Sequence, residues 1–125
     1  MNPIILVMTG GALGAGLRYG LSRALPFTGA GWPWATFTAN VLGGLAMGVL
    51  AAWILRGNNS AEPLRLFVGV GVLGGFTTFS AFSLEMMQMV ERGQAGLAAG
   101  YAVASVLLAL GALFAGMTVA KAIWA

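Results

Sequence analysis

The sequence predicts an all-α integral membrane protein with four transmembrane helices, the third broken near its middle. Three observations predict it. The chain of 125 residues is 59% hydrophobic and only 7% charged, a balance that belongs to membrane proteins rather than water-soluble domains. Its apolar residues fall into four runs, near residues 3–24, 33–55, 64–91 and 95–122, each long enough for the ~20 residues that a hydrocarbon core of about 30 Å requires. The joining segments, Pro26 to Trp32, Arg56 to Pro63 and Glu91 to Gln94, are too short to fold by themselves. Residues 1–125 therefore read as one transmembrane domain, and its function lies within the bilayer.

Composition also excludes chemistry. There is no Cys and no His, and all three acids are Glu, so thiolate or imidazole metal ligands and the commonest general base are missing. No nucleophile-base pair is evident, and the chain is not expected to be an enzyme. The net charge of +3 is scattered, unlike the clustered cationic face that nucleic acid requires.

The first run lacks a basic leader and continues to Arg18 and Tyr19 without a cleavage signal, so it reads as a retained helix. Gly10/Gly14 and Gly16/Gly20 are spaced four apart, the pattern that lets helix backbones touch in lipid. Arg18 reads as an interfacial anchor, or as a structural or anion-attracting charge.

Trp32 and Trp34 open the second run and Trp53 closes it, as rings that prefer the headgroup level do. Within it Thr36, Asn40, Gly43 and Met47 share a face, and Gly44/Gly48 form another close-packing pair. Asn40 offers two N–H donors that can hold an anion without placing a full charge in the membrane; its alternative role is a hydrogen bond to a neighbouring helix. The Asn58 sequon is read as a turn.

The third run holds the stretch on which the reading turns, Gly71 to Ser83, with two adjacent glycines and four hydroxyl side chains. A membrane helix can break there if neighbours satisfy the freed backbone groups, and broken helices are where ion sites are built. Phe79 and Phe82 share a face with Ser83 beside them. Glu85 is the one deep candidate for proton coupling, against a plainer role in bonding to the break or an interface. Gly69-x-Gly71-x-x-Gly74 matches a dinucleotide fingerprint by letter but lacks the βαβ context. Met86, Met87 and Met89 read as packing or lipid-facing residues rather than a cofactor box.

In the fourth run Tyr101 and Ser105 share a face and extend the polar track toward Ala109, while Lys121 and Trp124 mark the closing interface. Four helices can hardly enclose a pathway alone, which points to an oligomer. If all four span, Arg18, Arg23 and Arg92 lie on one side and Arg56, Arg65 and Lys121 on the other. The positive-inside rule then has nothing to act on, and an antiparallel, dual-topology homodimer is expected.

Three motifs, Gly10 to Tyr19, Thr36 to Gly43 and Gly74 to Phe82, resemble the Fluc (CrcB) fluoride channel family over nearly the whole chain. The resemblance implies an antiparallel dimer with two separate pores that passively export fluoride across the inner membrane of a prokaryote. It implies that Phe79 and Phe82 line the pores, that Asn40, Tyr101 and Ser105 continue them, and that the Gly74 and Thr77 carbonyls of both subunits hold a structural sodium ion. Thr36 and Ser83 are added to the pore by their faces, Arg18 and Glu85 as structural or electrostatic residues. Ala109 stands where related channels can carry a further hydroxyl. The rival reading is a small proton-coupled multidrug-type exporter using Glu85. It lacks the carboxylate such an antiporter needs in its first helix.

Overall fold

Asn2 starts the first helix by accepting the Ile4 N–H on its side-chain oxygen at 3.0 Å, with Pro3 in the first turn where its missing N–H costs nothing. The computed structural model describes residues 2–57 and 61–124; the Asn58 sequon lies outside them. Helix α1 is Pro3–Ala24 and α2 is Trp34–Ile54. Helix α3 begins as an α-turn at Ala61–Leu64, continues as a π-helix over Arg65–Leu73 and closes with an α-turn at Gly74–Phe76. Helix α4 is Phe79–Glu91 and α5 is Ala95–Trp124. With α3 and α4 taken as one interrupted rod, four helices are long and apolar enough to cross a membrane. The described chain is all-helical.

Packing is set by small residues. α1 lies along α3, and α2 along α5. Gly10 and Gly14 are the buried positions of α1, and a Cβ on either would run into the backbone of Phe67 or Val72. Gly44, Gly48 and Gly116 do the same at the α2/α5 contact, against the carbonyls of Ala109, Leu113 and Leu45. These are the close backbone approaches that hold helices together where lipid removes the hydrophobic drive. Gly16 and Gly20 meet nothing within 4 Å, so that predicted close-packing pair faces outward from the single chain.

The larger side chains form one inner cluster of Phe82, Met89, Ala98 and Tyr101 near the α4/α5 contact. Trp32 joins it, its ring edge-on to Tyr101 at 5.4 Å and to Phe37 at 5.3 Å. It is thus a packing residue rather than the headgroup anchor its sequence position suggested; Trp34, 58% exposed, keeps the outward role. Elsewhere the chain turns large apolar groups outward, among them Phe114 and Ile123, as a surface facing lipid or a second subunit does.

Candidate functional site: a cleft at the broken helix

Between α3 and α4 the chain leaves the helical region for two residues. Thr77 has φ −85° and ψ 156°, and Thr78 has φ −152° and ψ 124°, both extended. The glycines beside them stay helical. Gly74 has φ −62°, so the break falls on the threonine pair rather than on Gly74-Gly75.

Several of the backbone groups at the break have side-chain partners in place of helical ones. In a continuous α-helix the Thr78 N–H would bond the Gly74 carbonyl; here it donates to Asn40 Oδ1 at 2.8 Å. Asn40 Nδ2 donates back to the Thr78 carbonyl at 3.1 Å. The Ala81 N–H, which would have bonded the Thr77 carbonyl, donates instead to Thr78 Oγ1 at 3.1 Å, a helix N-cap for α4. Arg18 Nε donates to the Gly75 carbonyl at 3.2 Å, satisfying the C-terminal end of α3 as a cation there should. Arg18 thus reaches across from α1 to the backbone at the end of α3. The carbonyls of Gly74 and Thr77 are the two that lose their α-helical donors to side chains.

The break opens a cleft of about 270 Å³ lined by Asn40, Thr77, Thr78, Phe79, Phe82, Ser105, Val106 and Ala109. Four of the residues expected in the pore meet here, Asn40, Phe79, Phe82 and Ser105, together with Thr77, expected at the sodium site, and Ala109. The two phenyl rings lie 5.7 Å apart, but they differ in setting. Phe79 is 77% exposed and Phe82 only 5%, the latter held edge-on by Tyr101 at 5.0 Å. Ser105 Oγ is buried with no hydrogen-bond partner. An orphaned hydroxyl costs stability unless a ligand or water takes it up.

Three other predicted residues stand elsewhere. Thr36 Oγ1 donates to Glu85 Oε2 at 2.6 Å, and the Tyr101 hydroxyl donates to Glu85 Oε1 at 2.8 Å. Both carboxylate oxygens are thus engaged by α2 and α5, and Glu85 joins those two helices to α4 without lining the cleft. Ser83 Oγ bonds its own helix at the Phe79 carbonyl, 2.9 Å away, so it turns along the helix. Asn40 spends one of its two N–H donors on Thr78, leaving one. Sequence reasoning missed Thr78, although a Thr just before the Phe79–Glu91 helix carries an N-cap signal. It also missed Val106, which gives no signal beyond sharing a turn with Ser105.

Four apolar spans, one interrupted beside a cleft lined by phenyl rings with an amide and hydroxyls, define a small multi-pass membrane protein. The chain belongs to the CrcB-like protein, Camphor Resistance (CrcB) family, whose pattern matches residues 5–117. It is similar to the "Fluoride-specific ion channel FluC" of Caulobacter vibrioides, 53% identical over 127 residues and 100% of each chain. It is also similar to the proteins of that name from Phenylobacterium zucineum, 51% identical over 127 residues and 100% of each chain, and Rhodospirillum centenum, 50% identical over 125 residues and 97% of each chain.

Proposed function

We propose that the chain is a fluoride-specific ion channel, passive and uncoupled, which releases fluoride across the inner membrane of a prokaryote. Family membership and full-length similarity to fluoride channels support this. The structural observation that carries it is the buried, unpartnered Ser105 hydroxyl in a cleft with the Phe79 and Phe82 rings and the spare Asn40 N–H. Fluoride is small and accepts hydrogen bonds without donating any. It suits O–H and N–H donors and the electropositive edges of phenyl rings, and several weak contacts let it leave again where a full cation would trap it. The pore then runs along the cleft, with Tyr101 and Thr36 beyond Phe82 and Ser83 at its rim.

The working unit in this reading is an antiparallel, dual-topology homodimer with one pore in each half. Phe79 and Gly74 are exposed in the single chain, which suits residues that a second subunit covers. The released Gly74 and Thr77 carbonyls are uncharged hard oxygen donors at the break. They fit a monovalent cation such as sodium, completed by the same carbonyls of the partner. Bound there, the ion would neutralise the carbonyl dipoles gathered at the break and tie the subunits together.

Proteoliposomes loaded in turn with fluoride, chloride or a proton gradient test the function. Rapid loss of fluoride with chloride retained and no proton coupling is expected. A proton-coupled exporter using Glu85 would instead dissipate the proton gradient, but the Glu85 carboxylate is occupied by Thr36 and Tyr101.

A further inference from the structure

A second concavity lies away from the broken helix, where the C-terminal ends of α2 and α5 meet the start of α3. It measures about 270 Å³, and its walls include Ala46, Val49, Leu50, Trp53, Val68 and Trp124. Every lining side chain is apolar or aromatic, so water gains nothing by filling it. In a protein that spans a bilayer, an apolar groove open to the side takes hydrocarbon.

The rim is cationic. Arg56, just past the end of α2, lays its guanidinium over the Trp124 ring, 5.6 Å from the centroid, and Trp124 is itself a wall of the groove. Lys121 lies one turn back on the same helix. Neither has an acidic partner among the described residues. Of the three acids, Glu62 is paired with Arg65 at 2.8 Å and Glu85 is held by Thr36 and Tyr101. That leaves only Glu91, at the far end of α4. A second copy of this chain has too few free carboxylates to neutralise this rim, whereas a lipid phosphate supplies the charge.

We propose that this groove is a binding site for an anionic phospholipid, with an acyl chain between α2, α3 and α5 and the phosphate on Arg56. The planar guanidinium can give two hydrogen bonds to phosphate oxygens while it lies over the indole, and basic pockets between membrane helices are known to take such headgroups. The site is separate from the cleft at the broken helix and does not depend on what ion that cleft passes.

Native mass spectrometry of protein released from vesicles of equal phosphatidylglycerol and phosphatidylcholine tests it. Wild type should retain phosphatidylglycerol about fivefold over phosphatidylcholine, the preference that one surface cation confers. Arg56→Gln should lower the ratio severalfold while still retaining lipid, and Arg56→Lys should keep most of the preference. Ala46→Phe, which fills the groove, should lose both lipids. Equal retention by wild type, or an unchanged ratio in Arg56→Gln, overturns the proposal. So does efficient disulfide formation between two copies carrying Val68→Cys, since a second copy would then occupy the groove.

Discussion

Asn40 closes a two-bond ring with the backbone of Thr78, accepting its N–H at 2.8 Å and donating to its carbonyl at 3.1 Å. One side chain on α2 therefore takes up the Thr78 N–H that the interruption frees and adds a bond to the carbonyl of the same residue. Asn40→Ala should destabilise the fold by about 1–3 kcal/mol, the cost of leaving such groups unmet, read as a lower melting temperature in detergent. Asn40→Asp keeps the acceptor but loses the donor and sets a carboxylate against the Thr78 carbonyl. It should melt lower than wild type and pass little fluoride, because an ionised carboxylate repels the anion.

Gly75 is constrained by α1. A Cβ there would lie 2.5 Å from the Gly11 carbonyl oxygen and 3.1 Å from the Ala15 nitrogen, so Gly75→Ala must push two backbones apart. Gly16→Ala meets nothing within the chain. The first variant should express poorly or melt markedly lower, by the 1–3 kcal/mol typical of overpacking, and the second should match wild type as a folded subunit. Thermal unfolding of both checks the contrast.

The four apolar spans were legible because bilayer thickness fixes how long an apolar run must be, and the break was legible because Gly-Gly and clustered hydroxyls suit neither lipid nor an uninterrupted helix. The π-helix over Arg65–Leu73 was not. Its letters, Val and Leu alternating with Gly, are ordinary membrane-helix residues, and its packing of Gly71 against Gly10 of α1 is a contact no local pattern encodes. Arg18 was ambiguous for the same reason: its partner, the Gly75 carbonyl, lies 57 residues away. Asn40 and Ser105 were legible as polar residues in apolar helices, which need a partner or a ligand. That Thr36 and Tyr101 turn to Glu85 was hidden, since helical spacing gives a face but not which neighbour that face meets.

Sodium should matter to assembly if the Gly74 and Thr77 carbonyls bind it. Exchanging sodium for a large organic cation should weaken the dimer, measured as a shift toward monomer in detergent or in dilute vesicles. Thr77→Ser should be mild. It keeps the carbonyl and the hydroxyl, which bonds the Leu73 carbonyl at 2.9 Å, and loses only the methyl group packed on Gly43.

Topology follows from the balance of cations on the two sides of the bilayer. Reporter fusions at the C-terminus should be found on both sides of the membrane. Two or three added Lys residues in the loops of one side should bias insertion and abolish fluoride export, and a copy biased the other way should restore it. A single clean orientation at native expression contradicts the dual-topology reading.

Fluoride efflux from proteoliposomes carrying Phe79→Ile or Phe82→Ile tests the central claim most directly, with Phe114→Ile as control. The two sites differ in folding cost: Phe79 is exposed in the subunit, whereas Phe82 packs on Tyr101 and its replacement should cost on the order of 1 kcal/mol. Both variants should still fold and dimerise by size-exclusion chromatography. A pore lined by these rings predicts that each lowers fluoride flux by orders of magnitude while Phe114→Ile, at an outward-facing site, stays near wild type. Wild-type flux from both Phe79→Ile and Phe82→Ile would contradict it and place the pathway outside this cleft.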